Sequence, residues 1–132
     1  RFCGSVPKDE VAAIQRAADV VVFAESLEKK HRYAARLSFS TKLTDYFASG
    51  KCIFAIGDEH IAPIEYLREN DAAVIASDYS EIMPQLLKLA ENSALVSEYG
   101  KKAFECGRNH EQSKVKAAFT GTITKAARKV KA

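Results

Sequence analysis

Residues 38–56 read SFSTKLTDYFASGKCIFAI, a polar start, an amphipathic middle and an apolar end. The hydroxyl residues Ser40 and Thr41 are typical caps of a helix start, and Gly50 can take the left-handed conformation that ends a helix. The run Cys52–Ile56 is wholly apolar, as expected of a strand covered on both faces. The segment therefore predicts a helix from Ser40 or Thr41 to Ser49 and then a buried strand.

The same alternation of helix and strand extends in both directions along the chain. Apolar runs predict two further strands at residues 19–23 and 72–76, and all three strands are expected in the middle of the domain. Helices are predicted over residues 8–18, 62–69, 93–105 and 113–130, and another is predicted after a cap at Ser80. In the first helix, Val11, Ile14 and Ala18 are expected to form a buried stripe. This order predicts an α/β fold, a Rossmann-like parallel sheet with helices on both faces.

Length and composition fit one globular domain, because the chain has 132 residues of which 47% are hydrophobic. Its longest apolar run, residues 17–24, is much shorter than the roughly 20 residues of a membrane span. The three cysteines, Cys3, Cys52 and Cys106, are far apart, and no histidine has companions at metal-ligand spacing. We therefore expect no disulfide framework, no metal site and a cytoplasmic location.

The positive charge is concentrated near the end of the chain, at Lys114, Lys116, Lys125, Arg128, Lys129 and Lys131. Apolar residues in the same stretch trace one face of a helix, with the lysines opposite: Val115, Ala118, Phe119, Ile123, Ala126, Ala127 and Val130. This pattern favours a solvated helix face over nucleic-acid binding. Attachment to an anionic membrane surface, with the protein peripheral at the membrane, is the alternative.

The start of the predicted helix at Ser40 has the chemistry of an anion site. Unpaired backbone N–H groups and the helix dipole attract a phosphate there, and Lys42 adds a cation that suits the helix start only if an anion is also bound. Asp45 lies one turn further on nearly the same face and can accept hydrogen bonds from a ribose diol. The alternative interpretation is local: Ser40 only caps the helix, and Lys42 and Asp45 are surface residues.

This segment resembles the donor-binding signature of retaining glycosyltransferases of the GT-B fold, the glycogen-synthase-like group, whose pattern is Ser-x-Lys-x-x-Glu-Tyr-x-Ala-x-Gly-Lys-Pro-Val. The residues that match or nearly match are Ser40, Lys42, Asp45, Tyr46, Ala48, Gly50 and Lys51. Asp45 stands for the family's ribose-binding glutamate, and Cys52 replaces its proline. A weaker resemblance covers nearly the whole chain: Phe2, Gly4 and Val6, then residues 18–23, and the positions of Asn92 and His110 before the last two helices.

The resemblance implies that residues 1–132 are a partial C-terminal nucleotide-sugar-binding domain. Ser40, Thr41 and Lys42 would hold the donor diphosphate and Asp45 the ribose, with a nucleotide-diphosphate sugar as substrate and no metal or other cofactor. An unknown acceptor would be held by an N-terminal domain that this chain lacks. The longer protein would be the enzyme, and the isolated chain is expected to be inactive. Its catalytic residues stay unassigned.

The chain also departs from the family pattern. Leu37 stands near the position of a glutamate that contacts the transferred sugar in many members, and the family's diphosphate-gripping arginine and lysine have no counterpart, because the domain's first strand–helix unit is expected to be absent. Arg32 or Arg36, in the loop of residues 24–39, could supply these phosphate contacts; a solvated mobile loop is the alternative. The polar group of residues 58–60 after the second strand stays unassigned.

Two other functions remain open, a non-catalytic Rossmann-like nucleotide- or partner-binding module and a nucleotide-sugar epimerase of the same architecture. The start of the chain, residues 1–6, looks like the end of a strand, so the chain is expected to begin within a domain. Without the strands before it, the strand of residues 19–23 would have an open edge. Such an edge predicts self-association through Val20, Val21 and Val22.

Overall fold

The computed structural model describes residues 4–130, without the side chains of residues 34, 35, 129 and 130. In this part of the chain the strands are β1 (Val20–Ala24), β2 (Cys52–Ile56) and β3 (Val74–Ala76). The helices are α1 (Lys8–Ala17), α2 (Arg32–Ala35), α3 (Lys42–Ser49), α4 (Ala62–Glu69), α5 (Tyr79–Glu91), α6 (Ser93–Gly107) and α7 (Gln112–Val130). Short 3-10 turns, Lys29–His31 and Arg108–His110, precede α2 and α7.

The three strands form one open parallel sheet in the order β1-β2-β3. Val20 pairs with Cys52 at one side of β2, and Phe54 pairs with Val74 at the other. Parallel neighbours need crossover connections, which here contain α3 between β1 and β2 and α4 between β2 and β3. The predicted α/β class with a Rossmann-like parallel sheet is confirmed.

Helices cover the sheet on both faces, with one apolar cluster on each. The first cluster joins alternate strand residues to α3, α4 and the end of α6: Val21, Phe23, Ile53, Ala55, Leu43, Phe47, Ile64, Leu67, Ala103 and Cys106. The second lies between the other strand residues and α5 with the start of α6: Cys52, Phe54, Val74, Ala76, Leu89, Leu95 and Val96. Because β2 is buried on both faces, its unbroken apolar sequence is explained.

β1 is an edge strand, and its second face is largely uncovered. Its side chains alternate between core and surface, with Val21 and Phe23 buried and Val22 50% exposed. Val22 opens onto a groove of about 970 Å³ between β1, α5 and α6. The expectation of a strand in the middle of the domain, covered on both faces, is therefore wrong for β1, although its open edge was expected.

The predicted buried stripe of α1 is also wrong. None of its residues is buried, and Val11 and Ile14 are exposed. The helix packs beside α3, but the apolar side chains are not covered by that contact.

Several local predictions are confirmed. β2 and α4 have the predicted bounds, and Gly50 ends α3 in the left-handed conformation with φ of 66°. The cap of α5 is Asp78 and not the predicted Ser80, because the Asp78 carboxylate accepts a hydrogen bond from the Ser80 backbone N–H at 2.8 Å. The predicted strand end at residues 1–6 is not a strand over residues 4–6, and residues 1–3 lie outside the described part.

The last helix, α7, contacts the rest of the protein mainly through the 3-10 turn before it. Its apolar residues Val115, Phe119 and Ile123 are exposed. No helix within residues 4–130 combines the length and apolar character that a bilayer span requires.

Candidate functional site

The carboxyl edge of the sheet is where the fold brings the most polar loops together. The loops after β1, β2 and β3 all leave this edge, and the helices α3, α4 and α5 return from it with their N-termini. Open parallel sheets hold their ligands at this edge, because helix N-termini and loop backbone point into the same crevice.

The loop after β1 is fixed to the loop after β2 by backbone hydrogen bonds. Glu25 N donates to Ile56 O at 2.8 Å, and Asp58 N donates to Ser26 O at 3.3 Å. At the other end, the first amide of α4, Ala62 N, donates to Arg36 O at 3.0 Å. The loop also contains the turn before α2 and α2 itself, which the sequence did not predict. Backbone hydrogen bonds therefore join both ends of this loop to neighbouring segments.

A partly buried ion pair joins the two loops through side chains. Asp58 is only 6% exposed, and its Oδ2 accepts a hydrogen bond from Arg32 Nη2 at 2.8 Å. Its Oδ1 accepts the backbone N–H of His60 at 2.9 Å. The Arg32 guanidinium and this N–H hold the pKa of Asp58 below its usual value, although burial acts in the opposite direction. The sequence left Asp58 unassigned; its place directly after a strand end was the available signal.

Replacing Arg32 with methionine should lower the free energy of unfolding by about 2–3 kcal/mol at neutral pH, because a buried carboxylate loses its partner. The folded-state pKa of Asp58 is depressed, so this stabilisation is present above the unfolded pKa of about 3.9 and is lost as the pH falls below it. Urea unfolding at several pH values measures the difference.

The matched control for Arg32→Met is Arg16→Met, which removes an exposed arginine from α1. We expect the control to change stability by less than about 0.5 kcal/mol. The loss of stability in Arg32→Met is assigned to the Asp58 carboxylate. A difference in the free energy of unfolding between wild type and Arg32→Met that stayed constant from neutral to acidic pH would contradict this assignment.

The two arginines proposed as phosphate contacts occupy different positions. Arg32 is engaged with Asp58, and its Nε is buried without a hydrogen-bond partner among the described residues. Arg36 is exposed at the end of α2, and its carbonyl accepts a hydrogen bond from the first turn of α4. Both lie in the loop at the carboxyl edge of the sheet. An anion contact by Arg32 would use the part of the guanidinium that does not bind Asp58.

The predicted anion site, Ser40, Thr41 and Lys42, lies at the start of α3 on the carboxyl edge. α3 begins at Lys42, and Thr41 takes the cap position with helical backbone angles and no capping hydrogen bond from its side chain. The prediction of a hydroxyl cap at Thr41 is therefore wrong. Thr41 and Lys42 are exposed, and Ser40 is partly buried.

Asp45 lies one turn into α3, on the side of the helix that faces α1. It is exposed and lines a groove of about 380 Å³ that also contains Lys8, Gln15 and Arg16. Cationic and anionic side chains surround a small apolar surface in this groove. Asp45 follows Lys42 by three residues, so the two lie about one turn apart along α3.

An aromatic cluster fixes the chain just before α3. Phe39 packs edge-on against the Tyr66 ring at 5.3 Å between centroids, and His110 is stacked with Phe47 at 5.7 Å. Tyr66 Oη and His110 Nε2 are 2.8 Å apart, and Cys106 Sγ donates to Tyr66 Oη at 3.5 Å. Burial and the nearby Cys106 raise the pKa of Tyr66 to about 12, so its hydroxyl stays protonated. The cluster, which sequence reasoning missed, orders the entry to α3.

The groove of about 970 Å³ over the uncovered face of β1 reaches the opposite edge of the sheet. It includes Asp19 and Lys51, which precede β1 and β2, and its floor is made mainly of apolar side chains such as Val20, Val22 and Leu89. Ligands of open parallel sheets bind beyond the carboxyl ends of the strands. The size of this groove is therefore explained by the uncovered β1 face, and the candidate site remains at the carboxyl edge.

Comparisons with models of known protein families and with curated proteins find no match to this chain.

Proposed function

We propose that this chain is the nucleotide-sugar-binding part of a GT-B-fold retaining glycosyltransferase and acts within a longer protein. The main support is the agreement between the motif and its setting. Ser40, Thr41 and Lys42 lie where α3 begins at the carboxyl edge of a parallel sheet, and Gly50 ends that helix in the left-handed conformation. These are the positions at which the resemblance requires a phosphate-binding helix start.

In this proposal the donor diphosphate lies at the start of α3. The N-terminal amides and the helix dipole favour negative charge, and the Lys42 ammonium supplies a charge-assisted contact. When the bond between the sugar and the nucleotide breaks, negative charge grows on the diphosphate. A helix terminus and a cation that are already in place stabilise that charge and lower the barrier.

Asp45 is the proposed contact for the ribose. Its ionised carboxylate offers acceptor sites to the two hydroxyls of a diol. Because Asp45 is exposed and one turn from Lys42, it can reach a ribose attached to a phosphate at the helix start. The aspartate is one methylene shorter than the family's glutamate, so the ribose has to approach α3 more closely.

The contacts to the transferred sugar differ in this chain from those of the family pattern. Leu37, near the position of the family's sugar-binding glutamate, is 88% exposed and cannot accept a hydrogen bond through its side chain. Selection of the sugar and of the acceptor would then depend on other loops and on the separate acceptor-binding domain. Nucleotide binding is accordingly the activity to test in this chain.

The Lys42→Ala and Asp45→Ala variants should each bind nucleoside diphosphates more weakly by about 1.5–3 kcal/mol, which is roughly ten- to hundredfold in the dissociation constant. The first removes a phosphate contact and the second removes the diol acceptor. Calorimetric titration of the chain with a panel of nucleoside diphosphates measures the change. Wild type should bind deoxyribose analogues more weakly than the ribose nucleotides, whereas Asp45→Ala should bind the two equally.

The matched control is Lys51→Ala, which removes the same charge just beyond the other end of α3 and at the opposite edge of the sheet. Its affinity should equal that of wild type. Unchanged affinity in both site variants, or an equal loss in the control, would remove the site assignment.

The alternatives give different results in the longer protein. A binding module would bind the nucleotide but transfer no sugar, and an epimerase would turn over a nucleotide sugar without an acceptor.

A further inference from the structure

The last helix, α7, presents an apolar stripe to solvent. Val115, Phe119 and Ile123 follow one another at four-residue spacing, which places them along one face, and Phe119 is 67% exposed. Every other residue of the helix whose burial the structure describes is exposed, except the half-buried Gly121. A long helix of this kind is normally covered along its apolar face, because packing of that face supplies most of its stability.

The charge of α7 is of one sign. Its sequence contains Lys114, Lys116, Lys125, Arg128 and Lys129 and no aspartate or glutamate, and these five cations exceed the chain's net charge of +3. By helical periodicity Lys116 borders the apolar stripe, while Lys114 and Lys125 lie further round the helix. A lysine beside such a stripe can lay its alkyl stem along the apolar surface and extend its ammonium outward.

We propose that α7 is a membrane-surface helix that lies on an anionic lipid bilayer, with Val115, Phe119 and Ile123 inserted at the interface and the lysines at the lipid phosphates. A basic helix with an apolar face and no acidic residues binds such a bilayer both by burying apolar side chains and by electrostatic attraction to anionic lipids. A groove of another protein, or of another part of the longer protein, would also cover the stripe, but it would need acidic residues along the helix to match this charge, whereas an anionic bilayer supplies negative charge over its whole surface.

The intrinsic helix propensity of α7 is consistent with a segment that is stabilised by a surface. Gly121 lies at its middle, where an added Cβ would meet nothing within 4 Å, and the threonines 120, 122 and 124 flank it. Glycine and β-branched residues lower helix propensity. The hydroxyls of Thr122 and Thr124 donate hydrogen bonds to the carbonyls four residues earlier, at 2.9 and 2.8 Å.

The test is flotation of the whole chain with phosphatidylcholine vesicles that contain or lack phosphatidylglycerol. Wild type should bind the anionic vesicles at least about tenfold more strongly than the neutral ones, and added salt should weaken this binding. The Lys114→Gln, Lys125→Gln double variant should lose about tenfold or more. The Phe119→Ser, Ile123→Ser double variant should lose at least about tenfold, because apolar burial at the interface is removed.

The matched controls lie in α5: Tyr79→Ser removes an exposed aromatic residue, and Lys88→Gln removes an exposed lysine. Both should bind as wild type does. Equal binding to neutral and anionic vesicles, or no binding to either, would overturn the proposal. So would vesicle binding that the α7 variants keep, or sedimentation in which the Phe119→Ser, Ile123→Ser variant dissociates a protein complex without affecting lipid binding.

Discussion

Replacing Gly100 with alanine is expected to destabilise the protein by about 2–3 kcal/mol, because α6 passes too close to the backbone between α3 and β2. A Cβ at Gly100 would lie 2.6 Å from Gly50 O and 3.4 Å from Cys52 N. These are backbone atoms in a left-handed turn and a buried strand, so they cannot move aside as a flexible side chain would. The loss of stability from such overpacking is larger than the gain from the higher helix propensity of alanine.

The matched control is Gly121→Ala, the same change in α7, where the new Cβ would meet nothing within 4 Å. It should keep or raise stability, by up to about 1 kcal/mol if α7 unfolds with the rest. Urea unfolding followed by circular dichroism measures both variants. If the two alanine variants had equal stability, the close approach of α6 to Gly50 would not constrain the fold.

The central part of the fold was predictable from sequence because its signals are local and agree with one another. β2 is an unbroken apolar run that begins two residues after a glycine, and in the folded protein it is the middle strand with both faces buried. The end of α3 depends on the left-handed conformation of Gly50, which follows from the absence of a Cβ. In both places one short segment contains all the information that its conformation needs.

The parts that were not predicted depend on distant partners. β1 has nearly the same apolar composition as β2, but one of its faces is open, and no residue within the strand reports whether a partner covers it. The stripe of α1 is an example of the same difficulty. A periodic pattern shows which side of a helix is apolar, but whether that side is buried is decided elsewhere in the fold.

In the candidate site, too, some features could be predicted from the sequence and others could not. The motif around Ser40 and Lys42 was visible because its residues are adjacent in the chain. The pairing of Arg32 with Asp58 joins residues 26 positions apart, and the contact of Tyr66 with His110 joins residues 44 positions apart. Such pairs depend on how loops and helices meet in space. α2 was not predicted for another reason, because this four-residue helix is too short for a helical period to be recognised.

The edge of β1 is expected to make the chain self-associate, and a single charged residue on its outer face should prevent this. β1 pairs with β2 on one side, and no strand within residues 4–130 pairs with the other. Unpaired backbone groups beside exposed apolar side chains favour pairing with another chain. Since Val22 is half exposed and opens onto the groove between β1, α5 and α6, Val22→Lys places an ammonium at the contact without entering the core. Sedimentation velocity over a concentration series should show association for wild type and a monomer for this variant.

Two further variants separate this effect from loss of folding. Val22→Thr keeps a β-branched residue at the same position without a charge and should still associate, although more weakly. Val21 is buried in the first apolar cluster, so Val21→Lys should instead unfold much of the protein, at a cost of about 4 kcal/mol or more for a buried unpaired charge. Association through Val21 itself, as the sequence suggested together with Val20 and Val22, is therefore not expected, because its side chain faces inward. A wild-type chain that remained monomeric and cooperatively folded at every concentration would show that the β1 edge does not pair, and the uncovered groove would then need another explanation.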